Sequence, residues 1–193
     1  MKNTVGTKVN VKYQVKDKNG NIKPIFQPNK FYDLGLKKGF LSPFAYQKLG
    51  FLKFILGSWA DKMVLHNLVT SAGMAGVASR INGDGSEAAF TYIAVGTGTT
   101  AADADDTTLE TETAASGLSR AGATASRTTT DVTNDTATLV KTFSVTGTVA
   151  VTESGVLNAA STGVLLARRV FAAVNVVNTD SLMVTWNFDV DTA

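Results

Sequence analysis

The side chains of this chain that could do chemistry are few, and their spacing limits what chemistry that would be. His66 is the only histidine and there is no cysteine, so disulfides, thiol-ligated metal, cysteine nucleophiles and a histidine metal cluster are excluded. A Ser-His-Asp triad would need all its base function from His66 in a lysine-rich neighbourhood, which does not favour a proton-accepting imidazole. Asp103, Asp105 and Asp106, with Glu110 and Glu112 nearby, offer the clustered oxygen donors that a hard cation such as calcium takes. Their spacing does not fit the loop of a calcium hand and no glycine separates them, so the reading is a solvated acidic loop, or a surface that receives basic residues from a neighbour. The paired carboxylates of a glycosidase would have to come from the same loop. Gly96-Thr97-Gly98 follows an apolar run as a dinucleotide fingerprint begins, but no third glycine or long helix completes it, so a tight turn is expected. The chain is expected to be no enzyme, with no catalytic residue, cofactor or metal.

The charge that surrounds these groups is unevenly distributed. Residues 1–66 hold twelve lysines against Asp17, Asp33 and Asp61, a net +9, whereas residues 67–193 hold six basic residues against thirteen acids, a net −7. Ten of the sixteen aromatic residues lie in the first part and 23 of the 26 threonines from Thr91 onward. The expectation is two segments with different jobs: a basic, aromatic-rich arm over 1–66 and a β-sandwich domain over 67–193. Lysine with aromatic residues is also what phosphate neutralisation and base stacking use. Here the lysines are dispersed and the arm has no arginine, so nucleic-acid binding is not expected. Lys48 and Lys53 interrupt the most apolar stretch, residues 39–59, which argues against a membrane-spanning helix. No clean polar face suits an interfacial one. The N-terminus lacks the apolar core of a secretory signal, so export is not expected.

The elements follow from periodicity. Val9, Val11, Tyr13 and Val15 alternate with polar residues as in a half-buried strand. Asn19-Gly20 suits a tight hairpin turn, with Ile22–Phe26 returning as an edge strand limited by Pro24 and Pro28. Ser42 and Pro43 read as the cap and first position of a helix carrying Phe44, Phe51, Ile55 and Trp59 roughly along one face, weakened by Gly50. That helix is either a cover for the core of its own chain or an arm that docks on another subunit. Thr70–Ile81 reads as a short helix rich in small residues, stopped at Asn82-Gly83, and able to lie close against a sheet. Ala89–Val95 is an apolar run of strand length, and beyond Gly117 the pattern is almost wholly β, with runs at 121–130, 137–145, 148–152, 163–174 and 182–190. In the last run Leu182, Val184, Trp186, Phe188 and Val190 alternate with wet residues, so Trp186 is expected in the core. Short strands at this spacing predict a mainly β chain, an antiparallel β-sandwich with one or two short helices and a basic, aromatic-rich N-terminal extension or insertion.

Three stretches carry a resemblance: Asn67-Leu68-Val69-Thr70-Ser71-Ala72-Gly73, the run from Ala89 to Thr100, and Val151-Thr152-Glu153-Ser154-Gly155-Val156-Leu157-Asn158 leading to Ala167-Arg168-Arg169-Val170-Phe171. Together these resemble small β-rich virion proteins of tailed bacteriophages, and the Thr152–Leu157 segment is also similar to the attachment domains of phage tail fibres. The resemblance spans roughly residues 67–190. It implies a structural component of the virion, made in the host bacterial cytoplasm and present in many copies or as a homo-oligomer. Its partners would be other virion proteins, the major capsid or the tail and neck subunits. A capsid decoration or cement role is favoured over a tail, connector or fibre-attachment role, and a carbohydrate-binding host-surface module is the alternative of another class. Buried aromatics supply affinity in such contacts and lysines steer them. The expected partner-binding residues are therefore Phe40, Phe44, Lys48, Phe51, Lys53, Phe54 and Trp59.

Overall fold

The computed structural model describes residues 5–48 and 53–192. The alternating run near the N-terminus forms β1 (Val5–Lys16), which pairs antiparallel along its whole length with β13 (Ser181–Thr192). On its other edge β1 carries β2 (Ile22–Lys23) and β5 (Met63–His66), while β13 continues the sheet into β10 (Thr136–Ser144) and β9 (Thr124–Thr128). The second sheet runs β6 (Leu68–Val69), β12 (Leu165–Val176), β11 (Val149–Leu157), β7 (Tyr92–Gly96) and β8 (Ala121–Gly122), also antiparallel. The chain passes between the sheets by short steps, from β5 through Asn67 into β6 and from β8 through Ala123 into β9.

One apolar cluster fills the space between the sheets. It joins Val9, Val11, Tyr13 and Val15 of β1 and Leu182, Val184, Trp186 and Phe188 of β13 to Ile93, Val151, Val156, Phe171 and Val174 of the second sheet. Trp186 is fully buried and stacks on Phe188 at 5.9 Å between ring centroids. Tyr13 crosses the layer, its ring 4.1 Å from that of Phe171 and its hydroxyl sharing a 2.7 Å hydrogen bond with Ser154. The period-two pattern thus places one face of each sheet in the core, as aligned sandwiches require.

Because β1 is an inner strand of the first sheet, the change of composition at residue 66 is not where the sandwich begins. The hairpin after β1 closes as expected on Gly20, whose φ of +83° suits glycine, and Asp17 accepts from the N–H groups of Asn19 and Asn21. Only Ile22 and Lys23 return along β1. Past Pro24 the chain leaves the sheet, and residues 24–62 form an insertion between β2 and β5. Within it β3 (Ile25–Pro28) pairs with β4 (Gly57–Ala60), and between them lie α1 (Lys30–Lys37), α2 (Ala45–Lys48) and α3 (Lys53–Leu56). Asn29 caps α1, accepting from Tyr32 N–H. Of the helix expected from Ser42, the described parts Ala45–Lys48 and Lys53–Leu56 are helical, as α2 and α3, while Trp59 lies on the strand β4 instead. The cause is tertiary: the Pro43 carbonyl accepts from Ala173 N–H of β12, and Gly57–Ala60 pair with β3.

The helix after β6, α4 (Ser71–Asn82), matches the sequence reading at both ends. Thr70 accepts from Gly73 N–H at 2.9 Å, and Gly83 ends the helix in the left-handed region at φ 71°. Gly73 is there for closeness: a Cβ on it would lie 2.3 Å from the Leu166 carbonyl oxygen of β12. Among the described residues no helix is long and apolar enough to cross a membrane.

Candidate interaction surface

The groups most capable of chemistry are occupied by one another. Glu153 on β11 is fully buried, and its carboxylate accepts from Gly98, Glu110 and Thr111 N–H at 3.0, 3.1 and 2.7 Å and from Arg168 Nε at 2.9 Å. Arg168 on β12, 2% exposed, also meets Asp106 at 2.8 Å and Glu110 at 3.6 Å. Burial alone would lower the Arg168 pKa, but its bonds to Asp106 and Glu153 outweigh that and raise it. The two glycines read as a tight turn serve another purpose here. Neither has positive φ, and a Cβ on Gly96 or Gly98 would fall 2.6 or 2.5 Å from Glu153 Oε1, so they clear space for that carboxylate. The acidic loop is thus strapped to the second sheet, with Arg120 taking Glu112 at 2.5 Å. The basic residues it receives come from its own chain. Among the described residues no group of three or more His, Asp and Glu side chains could hold a metal, and His66 sits exposed opposite Asn10 at the sheet edge.

The insertion covers the outer face of the second sheet. Phe26, Tyr32, Leu36, Tyr46 and Leu56 form a second apolar cluster on Ala172 and Ala173 of β12, with Phe26 and Tyr46 stacked at 4.2 Å. Here β12 carries more residues than β11 between the Val170 and Val174 pairs, and the insertion satisfies the displaced backbone. Ala173 N–H donates to the Pro43 carbonyl at 3.0 Å, and Tyr46 hydroxyl donates to the Ala173 carbonyl at 2.8 Å. Burial pushes the Tyr32 hydroxyl up to about 12, and it donates to Ser42 O. Asp33 of α1 takes Arg169 of β12 and Lys37 of its own helix. Arg169 is held down to about 10 by burial and remains a cation at neutral pH.

The expected partner residues divide between the two faces of this layer. Phe40 and Phe54 are 61% and 69% exposed and Lys48 is exposed. Phe44 is half-buried against the second cluster, a cover for its own chain. Trp59 is 48% exposed while its ring meets Phe26 and Tyr46 edge-on at 6.3 and 6.4 Å. Phe51 and the side chain of Lys53 lie outside what the structure describes. Sequence reasoning missed Phe31, Leu34 and Ile55, all exposed on α1 and α3. The signal for the first two was the pairing of buried Tyr32 and Leu36 with outward Phe31 and Leu34 on one short helix. All four exposed aromatic side chains among the described residues, Phe31, Phe40, Phe54 and Trp59, belong to the insertion. The sandwich aromatics Phe143, Phe171, Trp186 and Phe188 are buried, and Phe90 and Tyr92 half-buried.

No protein-family model, curated protein or solved structure matches this chain.

Proposed function

We propose that this protein is a non-enzymatic structural subunit of a tailed-bacteriophage virion, a decoration or cement protein that binds neighbouring virion subunits through its insertion. The observation that carries the reading is the concentration of exposed aromatics on a lysine-rich layer that is itself anchored, by Asp33–Arg169 and by backbone bonds to Ala173, on a rigid sandwich. Apolar side chains held out in this way are unfavourable in water and mark a contact surface. Aromatic anchors dominate the energy of such contacts, and the surrounding lysines steer association. The resemblance of residues 67–190 to small phage virion proteins points to the particle as the setting. The quoted Val151–Asn158 stretch supports a structural part in it, since Glu153 and Ser154 are spent on strapping a loop and bridging the sheets.

Incorporation into particles tests the reading. A phage lacking this protein is supplied with the native chain or with Phe31→Ala/Phe40→Ala, and the copies in purified particles are counted against the major shell protein. The native chain is expected in many copies and the variant to be lost from the particle. Absence of the native chain from purified particles would refute the proposal.

A further inference from the structure

We propose that the cavity between α1 and β12 binds a small organic monocarboxylate, a single negative charge on a compact apolar body. The cavity, about 240 Å³ in volume, is lined by the end of α1, by the crossing between the sheets at Asn67 and Leu68, by Ala102 and by Arg168–Val170 of β12. A cavity of about 150 Å³ already holds benzene, so this one has room for an organic molecule. Two of its lining residues carry buried polar atoms with no hydrogen-bond partner: Nε of Arg169, a residue 3% exposed, and both Nδ2 and Oδ1 of Asn67. Three of the five such atoms among the described residues thus belong to the walls of this one cavity. Buried polar groups left unpaired are costly, and a ligand that pairs them explains their grouping. Two of the three are donors, which suits the two oxygens of a carboxylate. Small side-chain rotations, common on binding, turn them to a ligand seated there.

The charges at the walls set the charge of the ligand. Arg169 and Lys37 both line the cavity and share one acid, Asp33, which takes Arg169 Nη2 and lies 3.2 Å from Lys37 Nζ. Two cations against one carboxylate leave one positive charge on this side. On the other side Arg168 is occupied by Glu153, Asp106 and the Thr100 carbonyl, with Glu110 at 3.6 Å. The acids gathered there repel a second negative charge, so a monoanion fits and a dianion such as sulfate does not. The carboxylate therefore sits towards Lys37, Arg169 and Asn67. Leu36, Leu68, Ala102 and Val170 supply apolar surface for the body of the ligand. A ligand held there would bridge the insertion, the sheet crossing and β12. The site stands apart from the virion contact proposed above, and neither result decides the other.

An NMR titration of the full chain with 4-methylpentanoate tests it. One site is expected, with a Kd of about 1 mM or tighter, and ligand at tenfold the Kd is expected to raise the melting temperature by about 3 to 6 °C. Two further probes separate charge from shape: 4-methylpentanamide keeps the apolar body without the charge, and sulfate carries charge without the body. Each is expected to bind at least about tenfold more weakly, a difference of one good polar contact. Lys37→Met removes the unbalanced charge and Asn67→Ala the second donor, and each is expected to weaken 4-methylpentanoate binding by a similar factor while melting, without ligand, as the native chain does. Lys38→Met makes the same charge change at a residue off the cavity wall and is expected to leave the Kd unchanged. If Asn67→Ala melts lower than the native chain, Lys37→Met, at an exposed residue, decides in its place. No binding of 4-methylpentanoate, equally tight binding of the amide or of sulfate, native affinity in Lys37→Met, or an equal loss in Lys38→Met would each overturn the site.

Discussion

Single side chains hold this molecule together in ways that thermodynamics can read. Trp186 fills the middle of the core with its indole N–H lacking a hydrogen-bond partner. Trp186→Ala is expected to cost about 3 to 5 kcal/mol through the cavity it leaves. Trp186→Phe should cost clearly less, because the volume lost is smaller and the unsatisfied donor goes with it. Urea unfolding of both variants checks this, and a loss in Trp186→Phe as large as that in Trp186→Ala would contradict it. The alternation from Leu182 to Val190 was enough to place Trp186 in the core, whereas Glu153 and Arg168 could not be found that way. Strand periodicity reports which face is inward, not that a carboxylate will be enclosed by the backbone of a loop some fifty residues away. Acid dependence offers a second check. Backbone N–H groups, that of Val132 first, hold the Asp135 carboxyl far below its ordinary value of 3.8, and Thr100 N–H does the same, to a lesser degree, for Glu110, ordinarily 4.5. Such groups stabilise the fold above their unfolded pKa, and the contribution is lost as pH falls through the folded one. Melting temperature is expected to stay level from neutral pH to about pH 4.5 and then fall, and to fall less in Asp135→Asn/Glu110→Gln.

At the scale of elements, two attachments decide the architecture. The insertion is fixed by Asp33 of α1 to Arg169, 3% exposed, on β12. Asp33→Ala leaves that guanidinium buried without its counter-charge and should destabilise by about 3 to 5 kcal/mol. Arg169→Met added to it should recover much of the loss, and a double variant no more stable than the single one would show that the charge pair is not the anchor. The second attachment is α4 on β12, where Gly73→Ala must push the helix off the Leu166 backbone. A cost of about 1 to 3 kcal/mol is expected, as for other overpacked sites, while Gly122→Ala, with nothing within 4 Å of its Cβ, should be close to neutral. The ends of α4 were legible because Thr70 and Gly83 are local signals. The turn of Gly57–Ala60 out of the expected helix into β4 was not, because its cause lies in the β3 partner, which no local pattern contains.

For the molecule as a whole, the composition boundary at residue 66 suggests a separable arm, but β1 pairs with β13 over twelve residue pairs and lends four side chains to the core. Residues 67–193 alone would leave β13 without its neighbour and the sandwich open, so that fragment is expected to show no cooperative thermal transition. A sharp one would mean that β1 is dispensable. Charge and aromatic content mark what a segment does; the period-two alternation of β1 marks where it folds, and here the two differ. The central claim, that the insertion is a contact surface as well as a cover, is tested most directly by measuring particle incorporation and melting temperature on the same variant, Phe31→Ala/Phe40→Ala. Both rings are 61% exposed, so the melting temperature is expected to match that of the native chain while incorporation is lost. Incorporation at the native level, or a loss accompanied by a large fall in melting temperature, would contradict the account.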